Sequence, residues 1–227
     1  MDGIYLLMVN QKKYLDDGGY ERFLRDIPPD YLRYLHREDV FFRDSIRPGS
    51  TVLDIGCGEG RTTAALALHV GLKGHVIGID FDQRMYEMAK EKLGVLTNAE
   101  VRFMDARNIE QLDHDFGYIV FPFDILGLLP RADQVPVLEN ASERLEKGGS
   151  ILATVFSEHA APGQLRLYQR LFGYPVRADE DYVYADAIDY AAERFSREKI
   201  LALFEKAGLK ADVGRLTRMA YWIRAKT

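Results

Sequence analysis

Thr51-Val52-Leu53-Asp54-Ile55-Gly56-Cys57-Gly58-Glu59-Gly60-Arg61-Thr62-Thr63 is the stretch on which the reading of the fold turns. A short apolar run ends in three glycines at alternate positions and then passes into a segment with helical character, the order strand, tight loop, helix. Glycine lets the backbone turn sharply and lets a ligand lie against it with no Cβ in the way. Between a strand's carboxyl end and a helix N-terminus an open α/β sheet binds its ligands, so the loop predicts a nucleotide-type ligand. The spacing is not G-x-G-x-x-G, because the third glycine comes one residue early and Asp54 stands at the end of the strand. A carboxylate there is a poor neighbour for the pyrophosphate of a dinucleotide and suits a ligand with a cationic end.

Outward from this stretch, strand and helix alternate. Thr51 to Ile55 reads as a buried strand, Thr62 to Val70 as a helix, His75 to Ile79 as a second strand and Gln83 to Leu93 as a second helix, capped by Asp82 and closed by Gly94. Val101 to Met104 and Tyr118 to Phe123 read as strands, Val135 to Leu145 as a helix and Ser150 to Phe156 as a fifth strand. This alternation predicts a doubly wound, mostly parallel sheet with helices on both faces. Ser196 caps a last helix over Lys199 to Ala207, and two strands, Ala211 to Leu216 and Met219 to Ala225, are joined so briefly that they pair antiparallel. Upstream, Pro28-Pro29 punctuates the chain and Asp30 is positioned to cap a helix with Leu32, Leu35, Phe42 and Ile46 on its apolar face, which Arg-Pro-Gly-Ser at 47 to 50 ends.

Carboxylates end three consecutive strands. Asp80 closes the second, where it can accept hydrogen bonds from both hydroxyls of a ribose, and Phe81 after it can pack on a purine face. Asp105, in Phe103-Met104-Asp105-Ala106, closes the third, within reach of an exocyclic amino group. Together these residues resemble the class I S-adenosylmethionine-dependent methyltransferases, a Rossmann-like family, from about Thr51 to Ala225. The resemblance implies a seven-stranded sheet with an antiparallel C-terminal strand and a loop, Asp54, Gly56, Cys57, Gly58 and Gly60, that cradles the amino acid part of the cofactor S-adenosyl-L-methionine, which leaves as S-adenosyl-L-homocysteine. It assigns Asp80 to the ribose and Asp105 to the adenine, and Phe81, Ala106 and Phe121 fall in the same site. Alone, each acid has an ordinary structural reading as a cap or turn residue. Cys57 reads as a small apolar filler of the loop, since nothing beside it in sequence lowers its pKa.

Composition sets the outer limits. A chain of 227 residues, 47% hydrophobic, buries one core, and residues 1–227 read as a single domain. The net charge of -5 argues against a broad basic face for nucleic acid and leaves small molecules as the expected partners, with the chain a monomer or homodimer. Cys57 is the sole cysteine, so no intrachain disulfide forms; the start has no leader-like pattern, and no apolar run approaches the roughly 20 residues of a membrane span, which predicts a cytoplasmic protein.

The acceptor is set by the less regular parts. Phe121-Pro122-Phe123-Asp124 departs from the Asn/Asp-Pro-Pro-aromatic motif of methyltransferases acting on nucleobases and glutamine. The run Phe121 to Leu129, followed by Leu145-Glu146-Lys147-Gly148-Gly149, is similar to small-molecule N- and O-methyltransferases, so an amine or hydroxyl of a small molecule is the expected acceptor. The alternatives are an RNA or protein acceptor, or a non-catalytic protein that only binds the cofactor. Residues 1–50 form an N-terminal helical lid segment; within it residues 11–20, with Tyr14 and Tyr20, either fold over the cofactor or form a plain surface arm. Residues 158–195 are an insertion that caps the acceptor. Its acids Asp179, Glu180, Asp181, Asp186 and Asp189, among Tyr182, Tyr184 and Tyr190, either receive a cationic amine or line a solvated edge strand. His159, just past the fifth strand, is the general-base candidate, with Tyr14 the second catalytic candidate, and no metal site is expected.

Overall fold

The computed structural model describes residues 28–227. Tyr14, Tyr20 and the rest of the expected arm lie outside the described residues. The chain enters through α1 (Pro29–Ser45), and a β/α alternation follows: β1 (Thr51–Ile55), α2 (Arg61–Val70), β2 (His75–Asp80), α3 (Gln83–Leu93), β3 (Ala99–Phe103) and β4 (Phe116–Phe121). A short α4 (Ile125–Leu128), α5 (Arg131–Glu143) and β5 (Leu145–Phe156) come next. The insertion holds α6 (Ala161–Phe172), β6 (Arg177–Ala178), β7 (Tyr182–Ala185) and β8 (Tyr190–Glu193), and α7 (Arg197–Lys206), β9 (Lys210–Thr217) and β10 (Ala220–Lys226) complete the chain.

Seven strands form one sheet in the order β3-β2-β1-β4-β5-β10-β9. β1 to β5 run parallel, and β10 lies antiparallel to both β5 and β9. Strand alternation sorts the core. Leu53 and Ile55 face a cluster completed by α5 and α7, including Leu138, Ile200 and Phe204. Val52 faces the other layer, with Phe42 of α1 and Leu66 and Val70 of α2. A third cluster gathers at the carboxyl end of β5, where Tyr31 and Tyr34 of α1 meet Phe156, α6 and the small sheet.

Four local expectations change. Asp30 does not cap α1: Pro28 holds the cap position without a side-chain bond, and Asp30 sits in the first turn, where its charge suits the helix dipole. The buried stripe of α1 is Tyr31, Tyr34, Glu38 and Phe42, while Leu32 is 52% exposed. α5 starts at Arg131 and carries Pro136 inside it, so that proline does not mark the helix start. β4 stops at Phe121, because Pro122 offers no N–H and Phe123 and Asp124 take positive φ of 46° and 68°. The insertion is also more regular than its sequence reads. Pro162 falls in the first turn of α6, where proline is tolerated, and a Cβ on Gly163 would stand 2.7 Å from Met219 Cε, so the glycine lets α6 pack closely.

Candidate active site

The three loop glycines carry positive φ of 67°, 55° and 85° at Gly56, Gly58 and Gly60. Each serves a separate contact. A Cβ on Gly56 would lie 2.3 Å from Ile125 Cδ1, so the loop packs directly on α4. Gly60 sits against Leu93 and Ala89 of α3, whereas nothing lies within 4 Å of the Cβ position of Gly58. Gly58 N–H donates to Asp80 Oδ2 at 2.8 Å, and Asp82 N–H donates to Asp80 Oδ1 at 2.9 Å. Asp80 therefore ties the loop after β1 to the end of β2. Burial pushes its carboxyl up to about 6 against the pull of those two N–H groups.

Asp54 is wholly buried on the side of β1 that faces α2. Thr63 Oγ1 donates to its Oδ2 at 2.7 Å, while Oδ1 has no hydrogen-bond partner. Burial raises this carboxyl to about 7. Cys57 fills the space over Gly78, where a Cβ would lie 3.0 Å from its Sγ, and burial together with the charges of Asp54 and Asp80 pushes its thiol up. The thiol stays protonated, as a packing residue requires.

Beside the loop opens a cavity of about 230 Å³. Gly56 and Gly58 line it with Asp80, Phe81 and Met85; Met104 and Ala106 after β3 and Ile125, Leu128 and Leu129 in and after α4 supply further apolar surface. A carboxylate, two side-chain-free residues and apolar surface fit a nucleoside-bearing cofactor. Asp80 accepts a backbone N–H at each oxygen, and a carboxylate oxygen accepts more than one hydrogen bond, so it can also take a ribose hydroxyl.

The other expected site residues stand off the cavity lining. Asp54 turns to Thr63 of α2, Cys57 to Gly78 of β2 and Gly60 to Leu93 and Ala89 of α3. Asp105 accepts from Arg107 N–H at 2.8 Å and pairs with the Arg107 guanidinium at 2.7 Å. Burial raises its carboxyl, but Arg107 outweighs burial and holds it below the ordinary value. Phe121 is fully buried in the main core, because its position on β4 points it into the sheet's packed face. His159 Nε2 lies 3.3 Å from Glu158 Oε1, with its side chain 55% exposed. The acids of the insertion are engaged by the chain's own cations: Asp181 by Arg131 and Lys199, Asp186 by Arg177. Asp179 is taken by the Asp181 and Tyr182 N–H groups and the Tyr184 hydroxyl. This is the solvated-edge arrangement, and it leaves these three groups committed.

A buried polar network was not foreseen. Glu38, fully buried on α1, accepts at Oε1 from Phe123 N–H at 2.7 Å and from the Thr154 hydroxyl, and at Oε2 from Arg61 at 2.7 Å. Tyr34 in turn donates to Thr154 Oγ1 at 2.8 Å. The network joins α1, the first residue of α2, the turn after β4 and β5, so it fixes the residue that follows the glycine loop. Its signal was available: Glu38 falls in helical register with Tyr31, Tyr34 and Phe42, a charge within an apolar stripe. Asp124 was also passed over. Its N–H donates to Thr154 O at 3.0 Å and its Oδ1 accepts from Phe156 N–H at 2.9 Å.

This sheet order, with carboxylates and a glycine loop around a cavity at the carboxyl ends of β1 and β2, defines an α/β protein that holds a nucleoside-bearing cofactor. Residues 52–149 match the family model described as a methyltransferase domain. The chain is 30% identical over 191 residues to the demethylmenaquinone methyltransferase of Lysinibacillus sphaericus (strain C3-41), covering 82% of this chain and 79% of that one. Against the demethylmenaquinone methyltransferase of Staphylococcus haemolyticus (strain JCSC1435) it is 30% identical over 180 residues, 76% of this chain and 73% of the other. Its fold is shared with the Burkholderia thailandensis 1,6-didemethyltoxoflavin-N1-methyltransferase (TM-score 0.68, 16% identity, 97% of this chain and 86% of that one). An Aquifex aeolicus SAM-dependent methyltransferase has the same fold (TM-score 0.63, 18% identity, 90% and 96% covered). The chain belongs to the class I S-adenosylmethionine-dependent methyltransferases; it is an enzyme, and its methyl donor is S-adenosylmethionine.

Proposed function

We propose that the protein methylates a small molecule at an amine or hydroxyl, with the donor held in the cavity beside the glycine loop. The observation that carries the donor site is the convergence of Gly56, Gly58 and Asp80 on one cavity with apolar surface from Phe81, Met85 and Met104. S-adenosylmethionine supplies a methyl group on a sulfonium, open to direct displacement. The backbone of Gly56 and Gly58 admits the amino acid end without steric conflict, and Asp54 behind the loop provides negative field toward a cationic centre. Asp80 accepts from the ribose hydroxyls, and Phe81, Met85 and Met104 pack on the base. Asp105 reaches the adenine only by loosening its Arg107 pair. Ile125, Leu128 and Leu129 keep water from the reacting end, so alignment in a dry site does much of the work. His159 and, outside the described residues, Tyr14 are the proton acceptors proposed for an acceptor that must lose a proton.

The small-molecule reading is supported by the relatives' name, demethylmenaquinone methyltransferase, and by the commitment of three of the insertion's acids to internal pairs, which removes them as a trap for a cationic peptide. Calorimetric titration with S-adenosylmethionine, S-adenosylhomocysteine and NAD is the test of the donor site, followed by methyl transfer to panels of hydroxyarenes and amines. Binding of the sulfur ligands without NAD is expected; methylation of RNA or protein but of no small molecule would overturn the acceptor class.

A further inference from the structure

Outside the donor cavity, but in contact with its wall, stands a buried polar pair that the reading above does not use. Glu193, the last residue of β8, and Gln134 on α5 are each 4% exposed. Gln134 Nε2 donates to Glu193 Oε2 at 2.8 Å, and the same nitrogen faces Leu126 O at 3.2 Å and Leu129 O at 3.4 Å. Arg131, one turn before Gln134 on α5, donates from Nε to Glu193 Oε1 at 2.8 Å, pairs with Asp181 at 2.8 Å and lies over the Tyr182 ring at 5.1 Å. One turn of α5 therefore holds the insertion's β7 and β8 on one side and α4 on the other.

The short helix α4 needs support from outside. It has four residues, too few for a helix to hold itself, and its last carbonyls have no donor within it. The two residues before it, Phe123 and Asp124, carry φ of 46° and 68°, a conformation that residues other than glycine keep only where their surroundings impose it. β5 and β8 both pack on α4, and Gln134 supplies donors to its carbonyls. The consequence falls on the donor site. Ile125, Leu128 and Leu129 line the donor cavity, and Ile125 fits against Gly56 where any Cβ would clash. An amide with two hydrogens and three acceptors divides between Glu193 and α4, so the seat of the insertion and the wall of the cavity are set together.

We propose that Gln134 and Glu193 are positioning residues for the methyl donor: they tie the insertion to α4, so that S-adenosylmethionine binds tightly only with the insertion docked and in turn docks it. This rests on the placement of the donor in the cavity beside the glycine loop. Coupling of this kind is reciprocal, and the factor that the docked insertion adds to donor affinity is the factor that the donor adds to docking.

The test uses the full chain with S-adenosylhomocysteine, read by calorimetry and by amide hydrogen exchange over Tyr182 to Glu193. In the wild type the ligand slows exchange across these residues. Q134M, which nearly keeps the shape of the side chain and removes its N–H groups, binds S-adenosylhomocysteine about 10-fold more weakly and loses that slowing. E193Q removes the charge that draws both Arg131 and Gln134; it changes both readings in the same direction and serves where Q134M does not fold. R177A breaks an exposed pair with Asp186 from β6, the strand of the small sheet that β7 separates from β8, and leaves both readings at wild-type values. A purely structural role would lower the melting temperature of Q134M and leave affinity and slowing alone. No slowing in the wild type, unchanged affinity in the folded variants, weaker binding with the slowing retained, or equal weakening by R177A would each overturn the proposal. Failure of the wild type to bind S-adenosylhomocysteine at all would strike the donor reading, and this one with it.

Discussion

Asp80 already accepts a backbone N–H at each oxygen, so its substitution acts on two things, the ligand and the loop. Asp80→Ala is expected to weaken S-adenosylmethionine by roughly 2 to 4 kcal/mol through loss of two charge-assisted hydroxyl bonds. An unchanged dissociation constant by calorimetry would remove Asp80 from the ribose. The raised carboxyls of Asp54, at about 7, and Asp80, at about 6, add a pH signature. Their folded values exceed the unfolded ones, so between about pH 4 and 7 the folded state holds more protons and the ligand-free protein loses stability as pH rises. A donor with a cationic centre favours the ionised carboxylates, so its affinity should tighten from pH 5.5 to 8; titrations at the two ends show the trend, and a flat profile would contradict it. His159 is tested by His159→Ala: as the base, its loss lowers turnover about 100-fold with donor affinity retained, whereas near-normal turnover makes the Glu158 pair a surface feature.

At the scale of elements, α1 is bound through Glu38 to Arg61, the first residue of α2 after the glycine loop. Removing one partner of a buried pair leaves the other groups desolvated and alone; here the Thr154 hydroxyl loses its acceptor, and the Phe123 N–H keeps only Thr154 Oγ1 at 3.1 Å. Glu38→Ala should cost about 3 kcal/mol of stability by denaturant unfolding, because the burial of Glu38 is compensated only by these bonds. A loss below about 1 kcal/mol would mean that water replaces the network. The hydrophobic pattern could not locate these contacts, although it placed α1 itself. Apolar spacing ranked Leu32 above Glu38, and helical register with Tyr31, Tyr34 and Phe42 reversed that order.

Across the whole molecule the cavity joins the loop after β1, the end of β2 and α4, so a ligand bound in it would draw on three separate parts of the sheet's carboxyl edge. A ligand that binds only the folded state at about 100 times its dissociation constant adds about 2.7 kcal/mol. For a chain of this size that corresponds to a rise in Tm of roughly 5 to 10 °C. Thermal melts with S-adenosylhomocysteine and with NAD read it directly; equal shifts with both would show that the cavity does not discriminate its ligand.

The strand-glycine-helix stretch at Thr51 to Thr63, the β/α alternation and the closing antiparallel pair were legible from the chain alone, because strand and helix periodicities are local and a glycine loop needs only its neighbours. The carboxylates at the ends of β1, β2 and β3 were legible too, since strand ends share one edge of a parallel sheet. Where those side chains turn was not. Asp80 meets the cavity while Asp105 turns to Arg107, a choice made by which partner stands nearest once the elements pack. The meeting of Glu38, Arg61, Phe123 and Thr154 joins residues far apart in the chain, on α1, α2, the turn after β4 and β5. No periodicity carries such a contact; it exists only once α1 packs across the sheet's carboxyl edge.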